Sequence, residues 1–167
     1  PYEVSFRKRW LEIVRPNQED LDWLGQYYIQ NLTEGAFETV TKLQSLGRHV
    51  FILSHVPEAS IRILADYLGI TQENVFAVPV SFGRGDIMTV EQKFLMSIGV
   101  FKNTVIKKIR STGSTVLIGD GMTDYEVGKF ADLFIGFGGV VSRPNLKKLC
   151  QFYIEEHRLQ PILDIVL

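Results

Sequence analysis

The stretch Val116-Leu-Ile-Gly-Asp-Gly-Met-Thr-Asp124 constrains the fold more than any other part of the chain. A short apolar run leads straight into Gly119-Asp120-Gly121, and Thr123-Asp124 then opens the next helix. Continuous apolar runs of this length mark strands buried on both faces, as in parallel sheets. In open α/β sheets, ligands sit beyond the carboxyl ends of such strands. Two carboxylates on a tight glycine turn at that end can face one point. Paired oxygens on a stiff turn suit a hard cation such as Mg²⁺, which keeps waters and takes one or two carboxylates plus substrate phosphate. They suit equally a plain strand–turn–helix with Asp as an N-cap. Both readings stand on these residues alone.

The rest of the chain fits an α/β rhythm. Val4, Phe6, Trp10, Ile13 and Val14 recur at helical spacing until Pro16 ends that segment. Asn17, with Asp20 three residues on, reads as an N-cap for a second helix carrying Leu21, Leu24 and Tyr28. Thr33 is expected to cap a third, Glu34 to Leu46, closed by Gly47. From Arg48 the pattern changes. His49 to Ser54 is an apolar run ending in a small polar residue, the mark of a buried parallel strand. A helix from Pro57 to Leu68, a strand from Asn74 to Phe82 and a hairpin turn at Gly83-Arg84-Gly85-Asp86 follow. Thr104 to Arg110 reads as helix, Ser114 to Asp120 as strand and Asp124 to Phe130 as helix. Leu133 to Phe137 reads as strand, Pro144 to Cys150 as helix, Phe152 to Ile154 as strand, and a last helix follows Arg158. Strands alternating with helices imply a mostly parallel sheet, and the helical opening implies a separate small element.

Composition excludes several functions. The 167 residues are about one domain by the usual range of ~100–200 residues. A net charge of −1 with interspersed signs provides no basic field for nucleic acid and no polybasic surface for membranes. No apolar run approaches the roughly 18–20 residues of a membrane span, and no signal peptide opens the chain. The single cysteine, Cys150, excludes an internal disulfide framework, fits a reducing cytoplasm, and reads as a small buried apolar side chain.

Two more positions carry candidate chemistry. Ser54, with the free N–H groups of the following helix, would make a cradle for phosphate oxygens, although Ser is also an ordinary helix cap. A lysine near a metal and a phosphate would offset charge as a compact cation. Lys102, Lys107 and Lys108 are equal candidates for it on composition.

Taken in order, these motifs resemble those of the haloacid dehalogenase (HAD) superfamily, and within it the phosphoserine phosphatases. That family carries Asp-x-Asp-x-Thr, a Ser or Thr ending a strand, a Lys, and Gly-Asp-Gly-x-Thr-Asp. The last is present as Gly119-Asp120-Gly121-Met122-Thr123-Asp124, followed by the similar run Ala131 to Gly139. Phe51-Ile-Leu-Ser54 is similar to the second motif and Lys102 to the third, while Pro1 through Arg9, then Ile13 and Pro16, resemble the helical cap. The resemblance implies an α/β fold with a HAD-like Rossmannoid three-layer parallel sheet and a small helical cap. Residues 1–31 would be the cap element and residues 32–167 the core. It implies that Ser54 and Lys102 hold the phosphoryl group, that Asp120 binds Mg²⁺, and that Asp124 holds the site through the metal's waters or Lys102. Thr123 and His55 join the candidate substrate-binding residues. Arg9 is the candidate for a substrate carboxylate, because a guanidinium grips a carboxylate bidentately.

The chain departs from the family pattern twice. Where the family continues Ser-Gly-Gly, this chain has Ser54-His55-Val56-Pro57, which restricts close backbone approach and removes one N–H donor. Asp-x-Asp-x-Thr occurs nowhere in the 167 residues. In the family its first Asp attacks phosphorus, its second is general acid and base, and the motif ends the central strand. The place of that motif is before Pro1. The expectation is therefore a Mg²⁺-dependent phosphomonoesterase working through an aspartyl-phosphate in the intact protein, with this chain inactive alone. The alternative is a nucleophile-less phosphate-binding or regulatory domain. A receiver-like domain is disfavoured, since Gly-Asp-Gly-x-Thr-Asp is not a receiver pattern. A small phosphorylated metabolite is the expected partner, with no nucleic acid, no membrane, a homodimer-prone sheet edge, and a cytoplasmic location.

Overall fold

The computed structural model describes residues 2–167. Helix α1 (Tyr2–Phe6) runs directly into a π-helix over Arg7–Val14. The π-turn closes where the Arg15 N–H donates to the Trp10 carbonyl at 3.0 Å, with Arg15 at φ 49°. Helix α2 (Gln18–Gln30) starts on a complete capping box. The Asn17 side chain accepts from the Asp20 N–H at 2.8 Å, and the Asp20 carboxylate accepts from the Asn17 N–H at 2.9 Å.

Helix α3 (Ala36–Ser45) begins two residues later than predicted. Thr33 contributes its carbonyl rather than its side chain, accepting from the Ala36 N–H at 3.1 Å, and Gly35 at φ 71° is the N-cap. The Glu34 carbonyl is taken by the Leu159 N–H at 2.8 Å, which keeps Glu34 out of the helix. At the other end Gly47, also at φ 71°, stops the helix as expected.

Strand β1 (Ile52–Pro57) is shifted from the predicted His49–Ser54. Its register against β2 (Val75–Val78), not the apolar run, sets the limits. Ile52 and Leu53 pair with Val75 and Phe76, the register then shifts, and Pro57 pairs with Val78. Ser54 therefore lies inside β1, at the irregularity, and not at its end. Helix α4 (Glu58–Tyr67) follows, stopped by Gly69 at φ 66°. The predicted strand from Asn74 to Phe82 is split into β2 and β3 (Ser81–Phe82). Pro79, without an N–H, lies at the break. Strand β3 pairs antiparallel with β4 (Met88–Thr89) across the expected turn, where Gly85 and Asp86 take φ 75° and 57°.

Helix α5 (Gln92–Arg110) is 19 residues long, so Lys102 stands within a helix rather than ahead of one. Strand β5 (Val116–Gly119), helix α6 (Met122–Gly128), strand β6 (Leu133–Phe137), helix α7 (Pro144–Lys147), strand β7 (Phe152–Ile154) and helix α8 (Pro161–Val166) complete the chain. The α/β class with parallel strands is as expected: β1 pairs parallel with β2, and β5-β6-β7 is a parallel three-stranded sheet. No helix among the described residues is long and apolar enough to cross a membrane.

The chain divides into two compact units, Pro1–Leu32 with His49–Lys102, and Thr33–Arg48 with Asn103–Leu167. In the first, Phe6 of α1, Val78 of β2, and Leu95 and Ile98 of α5 form a buried cluster, with Trp10 and Phe94 packed on it. Helices α2 and α4 approach closely at Gly25, where a Cβ would lie 2.8 Å from Ile63 Cβ and 2.9 Å from the Ser60 carbonyl. In the second unit, Ile135 and Phe137 of β6 pack with Ile154 of β7 and Ile162 of α8. Within that sheet β5 has β6 on one edge, and its Val116 and Ile118 are 39 % and 37 % exposed.

A carboxylate ties the entries of β5 and β6 together. Asp132 Oδ2 accepts from the Thr115 N–H at 2.9 Å, and Oδ1 pairs with Arg110 Nη2 at 2.9 Å. The Thr115 N–H first, and the Arg110 guanidinium with it, hold the Asp132 carboxyl below the usual carboxylate range against the opposing cost of desolvation. Because the folded pKa is the lower one, this stabilisation is present above the unfolded value of about 3.9 and is lost as pH falls through the folded value. Asp132→Asn is expected to lower Tm at neutral pH, with the gap to wild type closing in acid. Thermal melts across pH check this; a gap unchanged into the acid limb would refute it. Asn17→Ala is expected to cost about 1 kcal/mol in urea unfolding, the usual worth of an N-cap.

Candidate functional site

Strand β5 ends at Gly119, paired with Gly136 of β6, and α6 starts at Met122 with Gly121 as its N-cap. Asp120 and Gly121 are thus the whole connection. The Asp124 and Tyr125 N–H groups both donate to the Gly121 carbonyl, at 3.1 and 3.0 Å. So tight a return brings Asp124 back over the strand end. A Cβ at position 119 would lie 2.3 Å from Asp124 Cβ and 3.1 Å from its Oδ2. A Cβ at position 121 would lie 3.5 Å from the same Oδ2 and 3.6 Å from Thr123 Oγ1. The Asp124 carboxylate and the Thr123 hydroxyl therefore rest against the turn that carries Asp120. The Asp120 side chain is 59 % exposed, and its Oδ2 lies 3.5 Å from Arg143 Nη2.

The donor chemistry of this turn fits Mg²⁺. Asp120 stands between Gly119 and Gly121, and the Asp124 carboxylate packs on the space that a Cβ at Gly119 would fill. Among the described residues no group of three or more His, Cys, Asp or Glu converges, so no all-protein cage forms. Mg²⁺ asks for less than that, since water and substrate oxygens complete its shell.

The other candidates lie in the first unit. Ser54 is half-buried, and its Oγ accepts from the Val56 N–H at 3.1 Å. His55 is also half-buried, within β1 and not on an exposed loop; its ring lies 6.3 Å from that of Phe101 on α5, in turn packed edge-on against Phe94 at 5.1 Å. Lys102 follows Phe101 on α5, so this packing brings the lysine's helix against the strand that carries Ser54. Arg9 is exposed on the π-helix, while nearby Arg7 donates to Gln92 Oε1 at 2.9 Å.

Sequence reasoning did not single out Arg143. The signal available was an arginine directly before Pro144, just past the glycine-rich segment that follows β6. Its backbone N–H donates to the Tyr153 hydroxyl at 2.9 Å. Cys150 is half-buried, and burial pushes its thiol pKa up, which suits the packing role expected of it.

No family model matches the chain. Bovine phosphoserine phosphatase (Bos taurus) is 31 % identical over 160 residues, which cover 93 % of this chain and 71 % of that protein. A phosphoserine phosphohydrolase-like protein from Francisella tularensis superposes with a TM-score of 0.83 at 27 % identity, over 99 % of this chain and 77 % of that one. The structure of a phospho-aspartyl intermediate analogue of phosphoserine phosphatase superposes with a TM-score of 0.75 at 26 % identity, over 99 % and 78 %. The fold is that of the HAD-like phosphatases. Within them, the chain belongs to the phosphoserine phosphatase family, whose members are phosphomonoester hydrolases.

Gly119→Ala tests the cradle directly. The added Cβ is expected to displace Asp124 and to weaken Mg²⁺ binding by about tenfold or more, the scale for disturbed groups around a metal. Calorimetric titration checks the affinity, and circular dichroism checks that the fold persists; unchanged affinity in a folded variant would show that Asp124 is not part of the site.

Proposed function

We propose that this chain carries the metal- and phosphate-binding part of a Mg²⁺-dependent phosphomonoesterase acting on phosphoserine or a closely related carboxylated phosphomonoester. The observation that carries the reading is the Gly119–Asp124 turn, where the Asp124 carboxylate packs against the glycines on either side of Asp120, too tightly for a Cβ at position 119. The bovine relative, named a phosphoserine phosphatase, supports the substrate class.

In this reading Asp120 and Asp124 hold Mg²⁺, which when bound would neutralise phosphate charge. Ser54 donates its hydroxyl proton to a phosphoryl oxygen, a role open to it because its oxygen already accepts from Val56. Lys102 adds a compact positive charge at the phosphoryl group. Thr123 offers a further hydroxyl beside the turn, and His55 lines the Ser54 segment. Arg9, in the helical cap element of residues 1–31, takes the substrate carboxylate, and residues 32–167 form the α/β core. The attacking carboxylate comes from outside these 167 residues, which hold no Asp-x-Asp-x-Thr. The phospho-aspartyl analogue of the similar phosphatase supports an aspartyl-phosphate route. A cytoplasmic location and, for these residues taken alone, a homodimer formed through an open strand edge complete the proposal.

Phosphate release from phosphoserine and other small phosphomonoesters in Mg²⁺ tests it, using the protein with whatever its gene encodes upstream of Pro1. Asp120→Ala is expected to lower kcat/KM by about 100-fold or more. Arg9→Ala is expected chiefly to raise KM for carboxylated substrates, as loss of uniform binding does. Turnover indifferent to Asp120→Ala would sink the metal assignment. Phosphate binding without any turnover would favour the regulatory alternative.

A further inference from the structure

Asp120 already has a cationic neighbour that belongs to the protein. Arg143 Nη2 lies 3.5 Å from Asp120 Oδ2, both side chains being about half exposed. The arginine is held in place from behind. Its backbone N–H donates to the Tyr153 hydroxyl at 2.9 Å, and Pro144 fixes the chain immediately after it. Tyr153 is itself seated by two glycines. A Cβ at Gly136 would lie 2.5 Å from the Tyr153 ring, and one at Gly138 would lie 2.3 Å from its hydroxyl. The strand β7 tyrosine thus sets the backbone from which the guanidinium reaches the turn. A guanidinium so placed uses one oxygen of Asp120 and sets a full positive charge beside it.

We propose that Arg143 is a positioning residue that competes with the divalent cation for Asp120, holding the carboxylate oriented and setting the metal affinity of the turn below what its two carboxylates alone would give. The inference rests on the reading of Asp120 as a metal ligand. Cation binding at Asp120 must displace the guanidinium or accept its repulsion, and either weakens the affinity. Lysine at the same position keeps the charge and retains the competition; methionine keeps the length of the stem and abolishes it.

The test is Mg²⁺ affinity by calorimetry on the full chain, in wild type, Asp120→Asn, Arg143→Met, Arg143→Lys and Lys148→Gln. Arg143→Met is expected to tighten Mg²⁺ about two- to five-fold, the span of an exposed ion pair. Arg143→Lys and Lys148→Gln stay near wild type, the latter removing one charge from the end of the same short helix. A merely structural arginine would leave the affinity unchanged or weaken it on removal, so either result overturns the proposal. Equal tightening by Lys148→Gln would also overturn it, as an effect of net charge alone. Mg²⁺ binding that survives Asp120→Asn unchanged, or that is absent from wild type, overturns the metal reading and this inference together. Binding lost in Asp120→Asn but indifferent to Arg143→Met overturns this inference only.

Discussion

The near-collision of Asp124 with Gly119 is the constraint on which the candidate chemistry depends. A helix that starts two residues after a strand must double back over the strand end, and here its first turn lands on the last residue of β5. Any side chain at Gly119 would push Asp124 off the turn. The same economy recurs across the sheet. Gly119 pairs with Gly136, and the space above Gly136 is filled by Tyr153 from the next strand. Tyr153 then anchors Arg143, whose side chain returns to Asp120. Glycine is used here for what it lacks: each missing Cβ lets a functional side chain from a neighbouring element come closer.

Where the sequence was legible, local chemistry and pairing agreed. The Asn17 capping box is complete within four residues, and Leu133–Phe137 and Phe152–Ile154 are strands at their expected limits. The Gly-Asp-Gly turn was legible because its tightness is a property of contiguous residues. What stayed hidden depends on pairing or distance. The apolar spacing of Phe6 and Trp10 fits α- and π-turns alike, and the Arg15-to-Trp10 bond decides between them. The limits of β1 follow from its register with β2, to which the apolar run carries no reference. Helix α5 begins well before Thr104 because burial of Leu95 and Ile98 outweighs the helix-weakening effect of Gly99. Arg143 meets Asp120 across 23 residues, beyond any local pattern.

Among the described residues, strand β5 combines the composition of an interior strand with the position of an edge. Val116 and Ile118 are each more than a third exposed, while Ile135 on the paired strand β6 is fully buried. Natural edge strands are usually blunted by charge, proline or bulges, and Val116-Leu-Ile-Gly119 has none of these. In the family that the chain resembles, the motif bearing the nucleophile ends the central strand of the sheet. An apolar open edge on β5 and a nucleophile supplied from outside these residues are therefore two aspects of one proposal, the first structural and the second chemical.

The segment Ser54-His55-Val56-Pro57 departs from the family's Ser-Gly-Gly, and the packing limits what that departure costs. A bulky residue beside the serine proposed to hold phosphate would ordinarily crowd the oxygens. His55, however, spends its ring on Phe101, joining β1 to the aromatic face of α5. Pro57 forfeits one N–H, yet α4 begins directly after it with no side chain capping its first turn. The Val56 N–H meanwhile orients the Ser54 hydroxyl by donating to its oxygen, leaving the hydroxyl proton for an external acceptor. Loss of the glycines thus removes backbone flexibility more than donors. In the proposed reading, a cradle stiffened in this way would favour one placement of the phosphoryl group over several, and selectivity among phosphomonoesters would fall to the residues proposed to read the rest of the molecule, Arg9 among them.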